Sequence, residues 1–141
     1  MSDRQRLVDQ LLLHEGLRCK PYTDTVGKIT IGVGRNLTDV GISKREALDL
    51  LDHDLDAAIA DLASAFPWFL ELDAVRQRVL VDMRVNLGLT RLRGFVNMLQ
   101  AVEQGDYLTA SEHMRASRWA QQVKFRADRL ANMMASGLDE L

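Results

Sequence analysis

The sequence predicts an α+β fold that is mainly α: a small antiparallel β-hairpin lobe near the N-terminus, a long linking helix and a C-terminal helical lobe. Three observations carry this. Apolar residues recur at helical spacing through most of the 141 residues. One stretch, residues 18–35, breaks that rhythm with alternating β-branched residues punctuated by Gly27, Gly32 and Gly34. A stripe from Leu48 to Leu62 then holds helical register until Pro67 ends it.

The elements follow in order. Ser2-Asp3-Arg4-Gln5 has the form of a capping box, and Leu7, Val8, Leu11 and Leu12 predict a helix to about Glu15, with Gly16 as its stop. In the hairpin, Ile29, Ile31 and Val33 alternate with Thr30 and Gly32, and Val26-Gly27-Lys28 is a turn signal. A third short strand is compatible with the pattern. Ser43-Lys44-Arg45-Glu46 is a second capping box and opens the linking helix. Asp73 caps a helix through Val75, Val79, Leu80, Met83 and Leu87, which Gly88 closes. Helices over 94–104, 107–116 and 123–136 complete the set, with a short turn at 117–120. Residues 138–141 show no structural role. Residues 1–141 thus read as one domain, with a hairpin lobe over about 16–42 and a helical lobe over about 67–137 that takes in the first helix. A cleft between two such lobes is where a ligand would bind.

Composition narrows the class. At 47% apolar and 27% charged, the chain can bury a core and is not disordered. Cys19 is the one cysteine, so no disulfide forms within the chain, and a small core residue is its expected role. No apolar run is long enough to span a membrane, and the polar start Met1-Ser2-Asp3-Arg4 does not resemble a secretory signal. The protein is therefore expected to accumulate in the cytoplasm where it is made. Residues 1–74 carry 8 basic and 13 acidic side chains, and residues 75–141 carry 10 basic and 7 acidic. The second half is thus a candidate for an anionic partner, or simply a solvated helical surface.

Glu15, Asp24 and Thr30 are the residues whose spacing suggests chemistry. Glu15 ends the first helix, Asp24 starts the hairpin and Thr30 lies on the returning strand. Glycoside hydrolysis needs a carboxylic acid to protonate the leaving oxygen, and a second group across the sugar ring to activate water or stabilise positive charge. The acid should sit in a poorly solvated place, as a glutamate packed beneath a hairpin would. Asp24, in an open turn, should stay ionised, and the Thr30 hydroxyl can orient a water. Residue type alone does not select them, because 20 acidic residues offer many accidental pairs.

The surrounding string is more specific. Glu15-Gly16-Leu17-Arg18, Tyr22-Thr23-Asp24, Gly27 and Thr30-Ile31-Gly32-Val33-Gly34 resemble the pattern of phage-type lysozymes and endolysins, glycoside hydrolase family 24. Downstream, Asp52–Ala58, Asp82–Gly88 with Gly94-Phe95, Ser117-Arg118-Trp119 and Arg126–Arg129 are similar to the family's linking helix, central helix and C-terminal signature. The resemblance implies a two-lobed lysozyme fold. It also implies Glu15 as acid, Asp24 as partner carboxylate and Thr30 as the water-positioning residue. The implied reaction is inverting hydrolysis of the β-1,4 bond between N-acetylmuramic acid and N-acetylglucosamine, by a monomer that lyses bacterial cells. Asn36, Asn86, His113 and Arg126 match family positions that could bind substrate, and Arg126 could pair with Glu15. Each could equally serve a local structural bond.

Two departures stand out. Gly34 is followed by Arg35 where the family has a histidine, so an Arg35–Asp54 ion pair is expected. Only residues 36–42 separate the hairpin from the next helix, which implies a short first lobe. No metal or cofactor is expected: position 18, four after His14, is arginine, so the zinc-protease motif is missing. Trp68, Phe69 and Trp119 are expected in the core.

Peptidoglycan is the expected partner, reached from the host cytoplasm after release, with the enzyme acting on the wall in the periplasm. Nucleic acid is not expected. The competing readings are a lytic transglycosylase, which uses the same acid without water, and a cationic wall- or membrane-disrupting protein. In the latter, Arg115, Arg118, Lys124, Arg126 and Arg129 would meet outer-membrane lipid phosphates.

Overall fold

A computed structural model describes residues 1–140, which form two compact units, Met1–Leu50 and Leu51 onward. The first opens with helix α1 (Asp3–Glu15). Ser2 caps it, its hydroxyl accepting the Gln5 N–H at 3.1 Å, and Gly16 ends it at φ 75°. Three antiparallel strands follow in the order β1 (Arg18–Thr23), β2 (Ile29–Gly32) and β3 (Arg35–Asn36). Tyr22 pairs with Thr30, and Ile31 with Arg35. The third strand left open by the sequence is thus present. Thr30 is buried while Ile29 is half exposed, so the polar member of the alternation is the covered one. The outer edge of Ile29 is tied by its neighbours: its carbonyl accepts the Leu37 N–H at 2.7 Å, and its N–H donates to the Thr38 hydroxyl at 2.9 Å.

The connection to the next helix is short because it folds on itself. The Asn36 carbonyl accepts the N–H groups of both Val40 and Gly41, at 3.1 and 3.2 Å. Helix α2 (Lys44–Ala65) then starts at a fully reciprocal capping box. The Ser43 hydroxyl accepts the Glu46 N–H at 3.1 Å, and a Glu46 carboxylate oxygen accepts the Ser43 N–H at 2.9 Å.

The second unit contains the core. After a 3-10 turn at Phe69–Glu71 come α3 (Ala74–Leu87), α4 (Leu89–Arg93), α5 (Val96–Glu103), α6 (Tyr107–Arg115), α7 (Arg118–Val123) and α8 (Phe125–Ser136). Val79, Leu80, Met83 and Leu87 put one stripe of α3 into this core, as their spacing predicts. Phe69 and Trp119 are buried there too, and Trp68 stacks on Phe66 with ring centroids 5.1 Å apart. Arg76 ties α3 to the end of α8. Its guanidinium donates to the Met134 and Ala135 carbonyls at 2.7 and 3.1 Å and lies 3.6 Å over the Tyr107 ring. These are helix-end carbonyls with no partner inside the helix.

Four expectations need correction. Residues 89–93 form a helix of their own, too short for a periodicity to show. The turn placed at 117–120 is instead the start of α7, with the Ser117 hydroxyl accepting the Ala120 N–H at 3.1 Å. Cys19 is exposed rather than in a core, as are five of the six residues of β1. The tail after Gly137 has a structural role: Asp139 pairs with Arg78, and the Glu140 carbonyl accepts from Arg129. Leu141 lies outside the described residues.

Candidate active site

Glu15 is the last residue of α1, and its carboxylate lies beside Gly34. A Cβ built on Gly34 would come within 2.9 Å of the Glu15 Oε2 and 3.1 Å of its Cδ. Gly34 also has φ +74°, a conformation that side chains resist. The turn between β2 and β3 therefore leaves room for the carboxylate where a side chain would otherwise stand. Among the described residues of the first unit, no hydrogen bond or ion pair holds that carboxylate. Glu15 is exposed, so the poorly solvated position expected for it is not formed within this unit.

Asp24 closes the hairpin turn. Its Oδ1 accepts the N–H groups of Val26 and Lys28 at 3.0 and 2.8 Å, which leaves Oδ2 uncommitted. Its own N–H donates to the Lys28 carbonyl at 2.9 Å, extending the ladder one step past Thr23. Side chains alternate along a strand and cross-strand partners share a face. Tyr22 pairs with Thr30, so those two side chains share a face, and Asp24 follows one residue past the end of β1. The Thr30 hydroxyl donates to the Lys28 carbonyl at 3.1 Å, so its oxygen is free to accept a proton from a water. The Asp24 N–H and the Thr30 hydroxyl thus converge on the same Lys28 carbonyl.

Arg35 is paired, but not as expected. Its two terminal nitrogens meet the two carboxylate oxygens of Glu46, each at 2.9 Å, in a fork-to-fork geometry. One of them also donates to the Gly41 carbonyl at 3.2 Å. Asp54, the partner expected from sequence, is eight residues further along α2, about 12 Å at 1.5 Å per residue. The capping box is the reason: it folds the Glu46 carboxylate back over Ser43, within reach of β3. The hydrogen bonds from Arg35, joined by those from Ser43, lower the Glu46 carboxyl to about 2. The same bond raises the Arg35 guanidinium above its ordinary value. Beside this pair the first unit has an open depression of about 840 Å3, lined by Ile31, Val33, Ile42 and Leu50 with Arg35 and Glu46 among its polar residues.

The remaining candidates are dispersed. Both ends of the Asn36 amide are engaged in its own turn: Nδ2 donates to Asp39 Oδ2, and Oδ1 accepts the Asp39 N–H, both at 3.0 Å. Asn86 Oδ1 accepts the Trp119 indole N–H at 2.7 Å. His113 lines a 460 Å3 depression in the second unit, with Phe95, Met98, Trp119 and the guanidinium-bearing Arg91 and Arg118. Arg126 spends its guanidinium on Asp82, at 2.7 and 2.6 Å. Arg115 is likewise paired with Asp128.

Residues 13–134 match the description of the phage lysozyme family. The chain belongs to the phage lysozyme family. Among curated proteins, it is 29% identical over 159 aligned positions to the pre-baseplate central spike protein Gp5 of Enterobacteria phage T4, covering 93% of this chain but 28% of that protein. It is also 23% identical to probable T4-type lysozyme 1 and 24% identical to probable T4-type lysozyme 2 of Dictyostelium discoideum. Those two alignments cover 92% and 93% of this chain, and 93% and 94% of the relatives. Membership in the phage lysozyme family supports a glycosidase with a peptidoglycan-degrading role. The 159 aligned positions exceed the 141 residues of this chain, so Gp5 carries residues that this family member lacks. No helix among the described residues is long and apolar enough to cross a membrane.

Proposed function

We propose that this chain is an endolysin that hydrolyses the β-1,4 bond between N-acetylmuramic acid and N-acetylglucosamine, with Glu15 as general acid. Glu15 protonates the departing glycosidic oxygen. Asp24 Oδ2 and Thr30 Oγ1 hold a water, and Asp24 takes up its proton as the water attacks the anomeric carbon from the opposite side. The configuration inverts in one displacement. Glu15 is exposed in the free protein, so the bound glycan must itself exclude water from the carboxyl and keep it protonated. His113 and, more weakly, Asn36, Asn86 and Arg126 are proposed to bind the sugars. The proposed setting is a bacterial host, with the enzyme held in the cytoplasm until release and then acting on the wall.

The observation that supports this reading most is that Asp24 and Thr30 converge on the Lys28 carbonyl, with one carboxylate oxygen uncommitted and one hydroxyl able to accept. A transglycosylase needs no water and has no use for that pair. The test uses purified peptidoglycan. Glu15→Gln keeps the shape and removes the acid, and is expected to release no fragments. Full activity in that variant would end the proposal. Mass spectrometry of wild-type products should find reducing ends and no anhydro-muramic ends.

A further inference from the structure

We propose that Arg35 and Glu46 form a positioning clamp for Glu15, acting through Gly34. This rests on the reading of Glu15 as the acid and adds to it the device that sets the carboxyl in place.

Glu15 ends a helix, and in its own unit nothing bonds to its carboxylate. A long side chain at a helix end samples several rotamers unless something blocks them. Here the Glu15 carboxyl and Cγ occupy the space a side chain at Gly34 would fill, 2.9 to 3.3 Å from where its Cβ would stand. The position of Glu15 is therefore only as well defined as the position of Gly34. On one side, Gly34 is held by the ladder: Arg35 pairs with Ile31, and Asn36 with Thr30. β3 has only two residues, so this hold is weak alone. On the other side, the two-pronged contact to Glu46 and the bond to the Gly41 carbonyl fix Arg35, the residue next to Gly34. Glu46 is in turn anchored by the Ser43 capping box at the start of α2. The chain of contacts runs from the first turn of α2 to Arg35, to the Gly34 Cα and to the Glu15 carboxylate. Because Glu46 is held at about 2, the clamp stays charged throughout the range in which a carboxylic acid catalyst works.

A displacement of the acid by about 1 Å costs on the order of 100-fold in rate. Arg35→Met is therefore expected to lower kcat by about 10- to 100-fold on purified peptidoglycan, with KM within about twofold. Arg35→Lys, which keeps a charge but not the fork, should recover part of the loss. The deciding measurement is a double-mutant cycle with Gly34→Ala, assayed well below the melting temperature of every variant. If Arg35 acts through Gly34, the double variant is no slower than Gly34→Ala alone. A purely structural role predicts instead a lower melting temperature with unchanged kcat, and that result overturns the clamp. So does a fully additive loss in the cycle. If Arg35→Met does not fold, Arg35→Lys and Glu46→Gln carry the same cycle. Glu15→Gln run alongside separates the two claims. If it is inactive while Arg35→Met keeps full kcat, the clamp fails and the acid stands; if it is active, the acid assignment fails first.

Discussion

Asn86 on α3 accepts a hydrogen bond from the buried indole of Trp119 on α7, at 2.7 Å. This bond joins two elements 33 residues apart and satisfies an N–H that the core would otherwise strand. Asn86→Ala is expected to destabilise the protein by about 1–3 kcal/mol, the cost of an unpaired buried donor. Urea denaturation measures it as a lower midpoint at constant slope. If KM for peptidoglycan is also unchanged, Asn86 is a structural residue and not a sugar ligand.

Gly34→Ala should separate stability from activity. The added methyl is strained at φ +74° and collides with the Glu15 carboxyl. The strain is expected to cost roughly 1–3 kcal/mol. The displaced acid should lower kcat by about tenfold or more. A melting curve and a turbidity assay on the same preparation give both numbers.

Acid stability should report the Arg35–Glu46 contact. The Glu46 carboxyl is lowered from 4.5 to about 2 in the folded protein. A depressed carboxyl contributes stability above its unfolded value and loses it as the pH falls through the folded one. Melting temperature should therefore decline from about pH 4.5 toward pH 2. In Glu46→Gln that part of the decline should be absent, as thermal melts across this range can show.

Lys124 sits between α7 and α8 at φ +39°, the one non-glycine residue with a positive φ among those described. Lys124→Gly should stabilise the protein by about 1 kcal/mol, the relieved strain less the entropy that glycine adds to the unfolded chain. Chemical denaturation would reveal the gain.

Helix boundaries were readable where their chemistry is local. Ser2, Asp73 and the Ser43–Glu46 box cap helices in the structure, and Gly16, Gly88 and Gly137 end them, because a cap involves residues three or four apart. The fold class was readable for the same reason, since β-branched alternation and apolar stripes are local patterns too. The Arg35 partner was not. It depends on where a sheet edge falls relative to a helix start, and a sequence contains no such distance. The family's spacing pointed to Asp54, while a local rule, the capping box, decided for Glu46. Glu15, Asp24 and Thr30 were legible as a motif, but the seat on Gly34 was not, because a contact with a missing side chain leaves no trace in residue type. The role of the tail was hidden likewise: Asp139 finds Arg78 across 61 residues.

The bond from Arg76 to the carbonyl of Met134 spans 58 residues. During synthesis at about 5–20 residues per second, α3 therefore waits roughly 3–12 s for its partner to be made. Through that interval the apolar stripe of Val79, Leu80 and Met83 lies open to other chains and to proteases. Yield in the cell should thus be governed by the speed and chaperoning of the second unit. A substitution at Arg76 would then show as lost protein before it showed as lost activity.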